Sequence, residues 1–362
     1  MARSAVDDGS AWFGKPVAAL KPVDADAARD ALEIVSDAAA EAGCKRLSKL
    51  LAGEAPLKRF LEAVFELSPF LRDCARRNPH ALEALFDEVA DARLETLIHE
   101  IERSAFAEGQ SESGIMKALR AHKTEAHALI ALCRLADEAD AEKTTRRLST
   151  LADSCVRAAV DYLLLDAHRA GKLHLPDPEK PASGSGWIIL GMGKLGANEL
   201  NFSSDIDLIV LVDTQAPAIT EPYEAVDLFV RLTRRLIRIL QDRTENGYVF
   251  RTDLRLRPDP GSTPLAIPVN AALHYYESRG QNWERAAMIK ARPVAGDISA
   301  GTAFLKELQP YVWRKYLDYA AIADVHSIKR QIHAHKGHGE IAVEGHNVKL
   351  GRGGIREIEF FV

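Results

Sequence analysis

An α+β protein is predicted, with a long helical leader, a small mixed sheet in the second half and helices again toward the end. Three observations carry this. From Asp24 to about Gly171 the chain is rich in Ala, Leu, Glu and Arg, scarce in glycine, and spaces its apolar residues by three and four. Residues 187–213 then change to two short apolar runs around a glycine-rich turn, which is a strand pattern. From Ser299 onward the helical spacing returns.

In the leader, helices are expected near 25–41, 56–66, 68–77, 80–104, 113–136 and 141–170. The breaks fall at Gly53–Pro56, Ser68-Pro69, Asn78-Pro79 and the 108–114 stretch, where glycine, proline and small polar residues interrupt the pattern. Charges of both signs cover these helices, so the bundle supports the next domain or docks a partner. Residues 175–186, with prolines, serines and glycines and no apolar pattern, read as a linker. The expected domains are therefore a leader at 1–174, this linker, a sheet domain at 187–298 and the start of a second helical bundle at 299–362.

Composition excludes several classes. The first 22 residues hold only Arg3, Lys15 and Lys21 as cations and no apolar core, and no apolar run reaches about 18 residues, so neither a signal peptide nor a membrane span is expected. A cytoplasmic location is the expectation. Cys44, Cys74, Cys133 and Cys155 fit no zinc or disulfide spacing and read as buried thiols.

The central stretch carries the chemistry. Trp187 to Leu190 form one strand, Ile206 to Val212 the next, and Gly191, Gly193 and Gly196 lie between. Asp205 and Asp207 point to the same side of the second strand, roughly 6–7 Å apart along it. Two carboxylates beside a loop of free backbone N–H groups suit a divalent metal holding a nucleotide's phosphates. The same glycines also spell Gly-x-Gly-x-x-Gly with Asp213 about 20 residues on, a dinucleotide-binding fingerprint of an NAD-dependent oxidoreductase. That reading needs a crossover helix, yet Lys194 to Ser204 contains Asn198, Asn201, Ser203 and Ser204 and leaves room for one helical turn. A purely structural turn, capped by Ser204 and Asp205, is the third reading.

After a loop at 216–220 comes an amphipathic helix at 223–244, then Gly247 to Pro258, read as a strand with Arg251, Asp253, Arg255 and Arg257 on one face. Residues 231–257 hold eight arginines against three acids, a local net of +5 in a chain of net −5. The helix arginines Arg231, Arg234, Arg235, Arg238 and Arg243 suit a solvated face. Arg255 and Arg257, beside Asp253, suit an anion clamp, with Arg251 the weaker candidate. No aromatic residues interleave with them in the manner of a single-strand nucleic-acid site, so no nucleic-acid partner is expected.

Ala286 to Pro293 is read as the last strand, with Glu284, Arg285, Lys290 and Arg292 either in the site or in a salt-bridged support. Helices are expected at 300–319 and 322–335. His333-x-His335-x-x-His338, with His326 and His346 nearby, reads as a solvated loop in preference to a metal site. Lys349 to Val362 place a glycine turn before a helix start, where N–H groups suit an anion, and the pattern runs to Val362 without a cap, as at a cut end.

The stretches Gly191-Met-Gly-Lys-Leu-Gly, Glu199-Leu-Asn-Phe-Ser-Ser-Asp-Ile-Asp-Leu, Asp253-Leu-Arg-Leu-Arg-Pro and Gly351-Arg-Gly-Gly-Ile-Arg-Glu-Ile-Glu-Phe-Phe resemble, in order, the bifunctional glutamine synthetase adenylyltransferase/adenylyl-removing enzymes. The Leu-Asn-Phe-Ser-Ser-Asp wording after a helical leader is similar to the adenylyl-removing domain, the first of two tandem nucleotidyltransferase domains. The resemblance implies a DNA-polymerase-β-like fold and phosphorolysis of AMP-tyrosine on glutamine synthetase by inorganic phosphate, releasing ADP. It implies Asp205, Asp207 and Asp253 as catalytic acids holding Mg²⁺ or Mn²⁺, with Gly193, Lys194, Ser204, Arg255 and Arg257 binding the adenine nucleotide and phosphate. It also implies an adenylylating half beyond residue 362 and the PII signalling protein as a partner of the longer enzyme. A silent docking module for glutamine synthetase or PII is the remaining alternative.

Overall fold

Proline sets the helix starts of the leader. Helices α3 (Pro56–Leu67), α4 (Pro69–Arg77) and α5 (Pro79–Ala84) each begin with proline in the first turn, where a missing N–H removes no helical bond. Ser68 caps α4 by accepting the Leu71 N–H at 3.3 Å, and Asp24 caps α1 (Ala25–Glu41) in the same way. In the computed structural model, residues 20–313, 344–349, 351–355 and 358 are described. The expected helix at 322–335 and the histidines at 326, 333, 335 and 338 lie outside them.

Two leader assignments change. A helix α2 (Lys45–Ala52) fills the stretch between the expected helices at 25–41 and 56–66. The single helix expected at 80–104 is α5 and α6 (Ala90–Arg103), parted by a turn. Arg46 of α2 explains the break, because it pairs with Glu83 and Asp87 and lies 4.8 Å from the Phe86 ring, holding the turn open between them. The long helices α7 (Glu112–Leu135) and α8 (Ala141–Arg169) follow.

Residues 175–186 are pinned: the Ala218 N–H donates to the Gly184 carbonyl at 3.1 Å and the Asp213 N–H to the Gly186 carbonyl at 2.8 Å. Gly186 is required here, since its φ is +72° and a Cβ would lie 2.5 Å from the Asp213 oxygen.

Strand β1 (Trp187–Gly191) pairs antiparallel with β2 (Ile206–Val212), and the two are joined through α9 (Gly193–Gly196), a single turn. This overturns the dinucleotide-binding reading, which needs parallel strands and a crossover helix. After α10 (Pro222–Gln241), strands β3 (Thr252–Asp253) and β4 (Ile267–Pro268) pair parallel with β2 at its start and its end. Then come α11 (Val269–Ser278), α12 (Asn282–Met288), β5 (Arg292–Gly296), antiparallel to β1, and α13 (Ile298–Val312). The sheet is thus mixed and five-stranded, and the fold is α+β.

Two strand expectations are corrected. The strand at 247–258 shrinks to Thr252–Asp253 because Asp253 accepts the Arg255 N–H and the chain turns. Arg255 and Arg257 therefore do not continue a strand face with Asp253. The strand expected at 286–293 begins only at Arg292: residues 286–288 end helix α12, which is fixed by a capping box in which Gln281 and Glu284 satisfy each other's backbone N–H groups, and a turn at 289–291 leads into β5.

Strand alternation divides the core. Trp187, Ile189, Leu208, Val210 and Val212 face the leader, in one apolar cluster that reaches Val35 of α1 and Leu151 and Val160 of α8. Ile188, Leu190, Ile209 and Leu211 face α11 and α13, packing on Tyr276 and Phe304. Among the described residues no helix is long and apolar enough to cross a membrane.

Candidate active site

The glycine turn is shaped around one carboxylate. Gly193 has φ +53°, and a Cβ there would meet Asp207 Oδ2 at 3.1 Å. The Met192 N–H donates to the Asp207 carbonyl at 2.9 Å, so the turn is tied to the strand that bears the acid. Gly196 is needed for packing: a Cβ would lie 1.8 Å from the Lys290 carbonyl oxygen. Lys194, which follows Gly193, is exposed.

The β2–β3 register puts Asp207 directly beside Asp253, and Ile206 beside Thr252. Neighbouring strands lie about 4.8 Å apart, so the two carboxyls share one face. Asp205 stands just before β2, two residues from Asp207 and near enough for its charge to act on it. Asp207 is half-buried and makes no ion pair or side-chain hydrogen bond among the described residues. Burial first, then Asp253 and Asp205, push its carboxyl up to about 6, against the opposing pull of Lys349 and Arg255.

The outer two acids hold arginines. Arg251 donates to Asp205 at 2.5 Å, to the Ser203 carbonyl at 2.6 Å and to the Tyr248 hydroxyl at 3.1 Å. Arg255 donates to Asp253 at 2.5 Å, and this bond holds the Asp253 carboxyl below the usual carboxylate range. Arg257 is turned away: its guanidinium donates to the carbonyls of Leu254 at 2.9 Å and Pro260 at 2.7 Å, closing the turn after β3. Ser204 is half-buried in a neighbouring cleft wall.

Supports come from far along the chain. Arg292 donates to the Leu195 and Gly196 carbonyls of α9 and to both oxygens of buried Asp153 on α8. Fully buried Arg120 of α7 donates to the carbonyls of Met116, Ile239, Asp242 and Gly247, fixing the turn that leads into β3. Arg235 and Arg238 of α10 do not form a plain solvated face: both pair with Glu112 of α7, and Arg235 also with Asp166 of α8, joining the helices. Glu284 serves the α12 cap and Lys290 pairs with Glu199 at 3.0 Å. Sequence reading missed Arg251 as the partner of Asp205, and Lys349, whose charge reaches Asp207 from the glycine-rich stretch at 349–354.

The donor set suits a hard divalent cation. It offers carboxylate oxygens at adjoining positions of two strands, one of them uncompensated, with the Gly193 hydrogen leaving space beside it. Among the described residues no three such side chains are already closed around one point, because Asp205 and Asp253 turn to Arg251 and Arg255. A cation there would replace those arginine contacts.

Comparison with known families decides the kinship. The family model described as glutamate-ammonia ligase adenylyltransferase matches residues 58–307, from α3 through most of α13 and including all five strands. The chain belongs to this adenylyltransferase family. A second model, described as GlnD PII-uridylyltransferase, matches residues 326–362. Relatives named bifunctional glutamine synthetase adenylyltransferase/adenylyl-removing enzyme include those of Mesorhizobium japonicum, 69% identical over 97% of this chain, and Brucella suis, 61% identical over 97%. Another, from Rhizobium meliloti, is 60% identical over 96%. The chain spans 36% of the length of the first two and 35% of the third, so the adenylyltransferase family's named relatives are much longer than the sequence described here.

Proposed function

We propose that this chain carries the adenylyl-removing chemistry of the family, on a DNA-polymerase-β-like nucleotidyltransferase unit formed by residues 187–298. A phosphate oxygen attacks the phosphorus of an AMP group on a tyrosine of glutamine synthetase. The bond from phosphorus to the tyrosine oxygen breaks, that oxygen takes a proton, and ADP leaves. The observation that supports this reading most is the register of β2 on β3, with uncompensated Asp207 beside Asp253 and Asp205 at the strand start.

Asp205, Asp207 and Asp253 would hold Mg²⁺ or Mn²⁺, which supplies Lewis acidity toward phosphoryl oxygens when bound. Gly193 leaves room next to Asp207, and the exposed Lys194 draws the phosphates to the turn. Ser204 contributes a hydroxyl at the entry to β2. Arg255, its side chain 85% exposed, swings from Asp253 to the anion; Arg257, bound to carbonyls, shapes the turn that presents it. The adenylylating activity and contact with PII belong, in this reading, to sequence beyond this chain.

The deciding experiment incubates the chain with adenylylated glutamine synthetase and Mg²⁺, with and without inorganic phosphate, and follows the nucleotide released. ADP that appears only with phosphate is the expected result. AMP released without phosphate would mean hydrolysis, and transfer of AMP from ATP to the unmodified synthetase would assign the opposite reaction. Absence of turnover with tight synthetase binding would return the chain to a docking role.

A further inference from the structure

A second charged feature lies outside the acidic edge, in a cleft of about 430 Å³ between the leader and the sheet unit. Its walls come from α4 and α7 on one side and from Asn201–Ser204 and Arg243–Phe250 on the other. Lys123 of α7 lines it, is only 9% exposed, and makes no hydrogen bond or ion pair among the described residues. Its ammonium lies 5.7 Å from the Tyr248 ring centroid and 5.5 Å from that of Phe250.

Cation–π attraction offsets only part of the cost of burying an ammonium. The neighbourhood adds to the imbalance, because Arg243 lies 5.5 Å from the same Tyr248 ring and Arg251 6.0 Å from it. Arg243, too, makes no ion pair among the described residues; of the two acids that line the cleft, Asp73 is taken by Arg76 and Arg77, and Glu245 makes no ion pair with either Lys123 or Arg243. Burial lowers the Lys123 pKa, which is the response of a cation lacking its counter-charge. Three cations around one ring, one of them buried and unpaired, are stable together once an anion joins them.

We propose that this cleft binds a small phosphate-bearing molecule, with Lys123 and Arg243 on the phosphate oxygens and the Ser203 hydroxyl beside them. Several donors converging from different directions suit a multi-oxygen anion. The volume exceeds that of inorganic phosphate and falls in the range of small-ligand sites. Half-exposed Phe70 and the stacked His127–Phe202 pair, 5.2 Å between ring centroids, offer apolar faces to an attached organic group. Arg251 stands between the two sites, bonding the Tyr248 hydroxyl of the cleft and Asp205 of the acidic edge. The inference goes beyond the phosphorolysis reading, since this anion is held without a metal.

Calorimetric titration with inorganic phosphate and, separately, with AMP tests it, in chelator so that the acidic edge is silent. The double variant Asp205→Asn, Asp207→Asn is expected to bind at least as tightly as wild type, since it removes two carboxylates and releases Arg251 from Asp205. Lys123→Met should bind at least about tenfold more weakly, the scale of one hydrogen bond to a charged group, and Lys123→Arg should retain binding. Lys123→Met removes a buried charge while keeping the chain length, and circular dichroism checks its fold. Tighter binding of AMP than of phosphate identifies a nucleotide ligand; equal binding identifies the free anion. Unchanged affinity in Lys123→Met, no binding of either probe to wild type, or a loss in the Asp205/Asp207 double variant as large as that in Lys123→Met would overturn the proposal.

Discussion

Asp153 and Asp207 are two carboxylates whose burial raises their pKa, yet the molecule treats them in opposite ways. Asp153, on α8, is met by both terminal nitrogens of Arg292, at 2.7 and 3.2 Å. Asp207, on β2, is met by two further carboxylates and a glycine turn without side chain. The first arrangement cancels a charge to join a helix to a sheet. The second gathers charge and leaves Asp207 itself without an ion pair among the described residues, which marks a site awaiting a cation or a proton. Perturbation alone does not separate them; the partner does.

The largest effect should come from neutralising the gathered acids. The double variant Asp205→Asn, Asp207→Asn is expected to keep the wild-type circular dichroism and melting temperature within about 2 °C, since relieving like-charge repulsion costs no packing. The proposed phosphorolysis of adenylylated synthetase should fall by about 10²-fold or more, the scale lost with one transition-state electrostatic contact. Turnover near the wild-type rate would make Asp207 merely an unpaired acid and erase its difference from Asp153.

Next comes the cancelled pair. Arg292→Met leaves buried Asp153 only the more distant Arg157, at 3.9 Å, and should destabilise the fold by about 3 kcal/mol in urea. Adding Asp153→Leu should recover most of that, because the pair can be exchanged for apolar packing. If the single variant unfolds no more easily than wild type, Arg292 is not the joint between α8 and the glycine turn.

This contrast was partly legible beforehand. Asp205, Asp207 and the glycine turn stand within one short stretch, so their nearness to one another was readable from spacing alone. The brevity of 194–204 was enough to expect a single turn, and β1–β2 antiparallel pairing is its consequence. Ser68-Pro69 and Asn78-Pro79 announced helix starts for the same local reason. The alternating Arg-x-Asp-x-Arg-x-Arg at 251–257 misled, because alternation cannot show that Asp253 would bond the backbone of Arg255 and bend the chain. Gln281 and Glu284 formed a readable capping box that the strand reading of 286–293 passed over. Arg120 on Gly247 and Arg292 on Asp153 are separated by 127 and 139 residues, and no local pattern records such joints.

The smallest effect concerns Asp161, which tests whether an unpaired, perturbed acid always signals chemistry. It lies about two turns beyond Asp153 on α8, makes no ion pair among the described residues, and is pushed up to about 7 by burial and then by Glu102, against Arg157. Unlike Asp207, it has no second strand acid and no glycine turn beside it. Its folded value lies above the 3.8 of an unperturbed Asp, so the folded chain holds a proton there that the unfolded chain has already released. The stability that this proton confers is full below 3.8 and is lost as pH rises through about 7. Asp161→Asn should therefore melt with wild type below pH 4 and above it at pH 8, by about 2 °C, with phosphorolysis unchanged. A pH-independent melting difference would mean that Asp161 is not protonated in the fold, and lost turnover would show that uncompensated burial is itself a mark of function in this molecule.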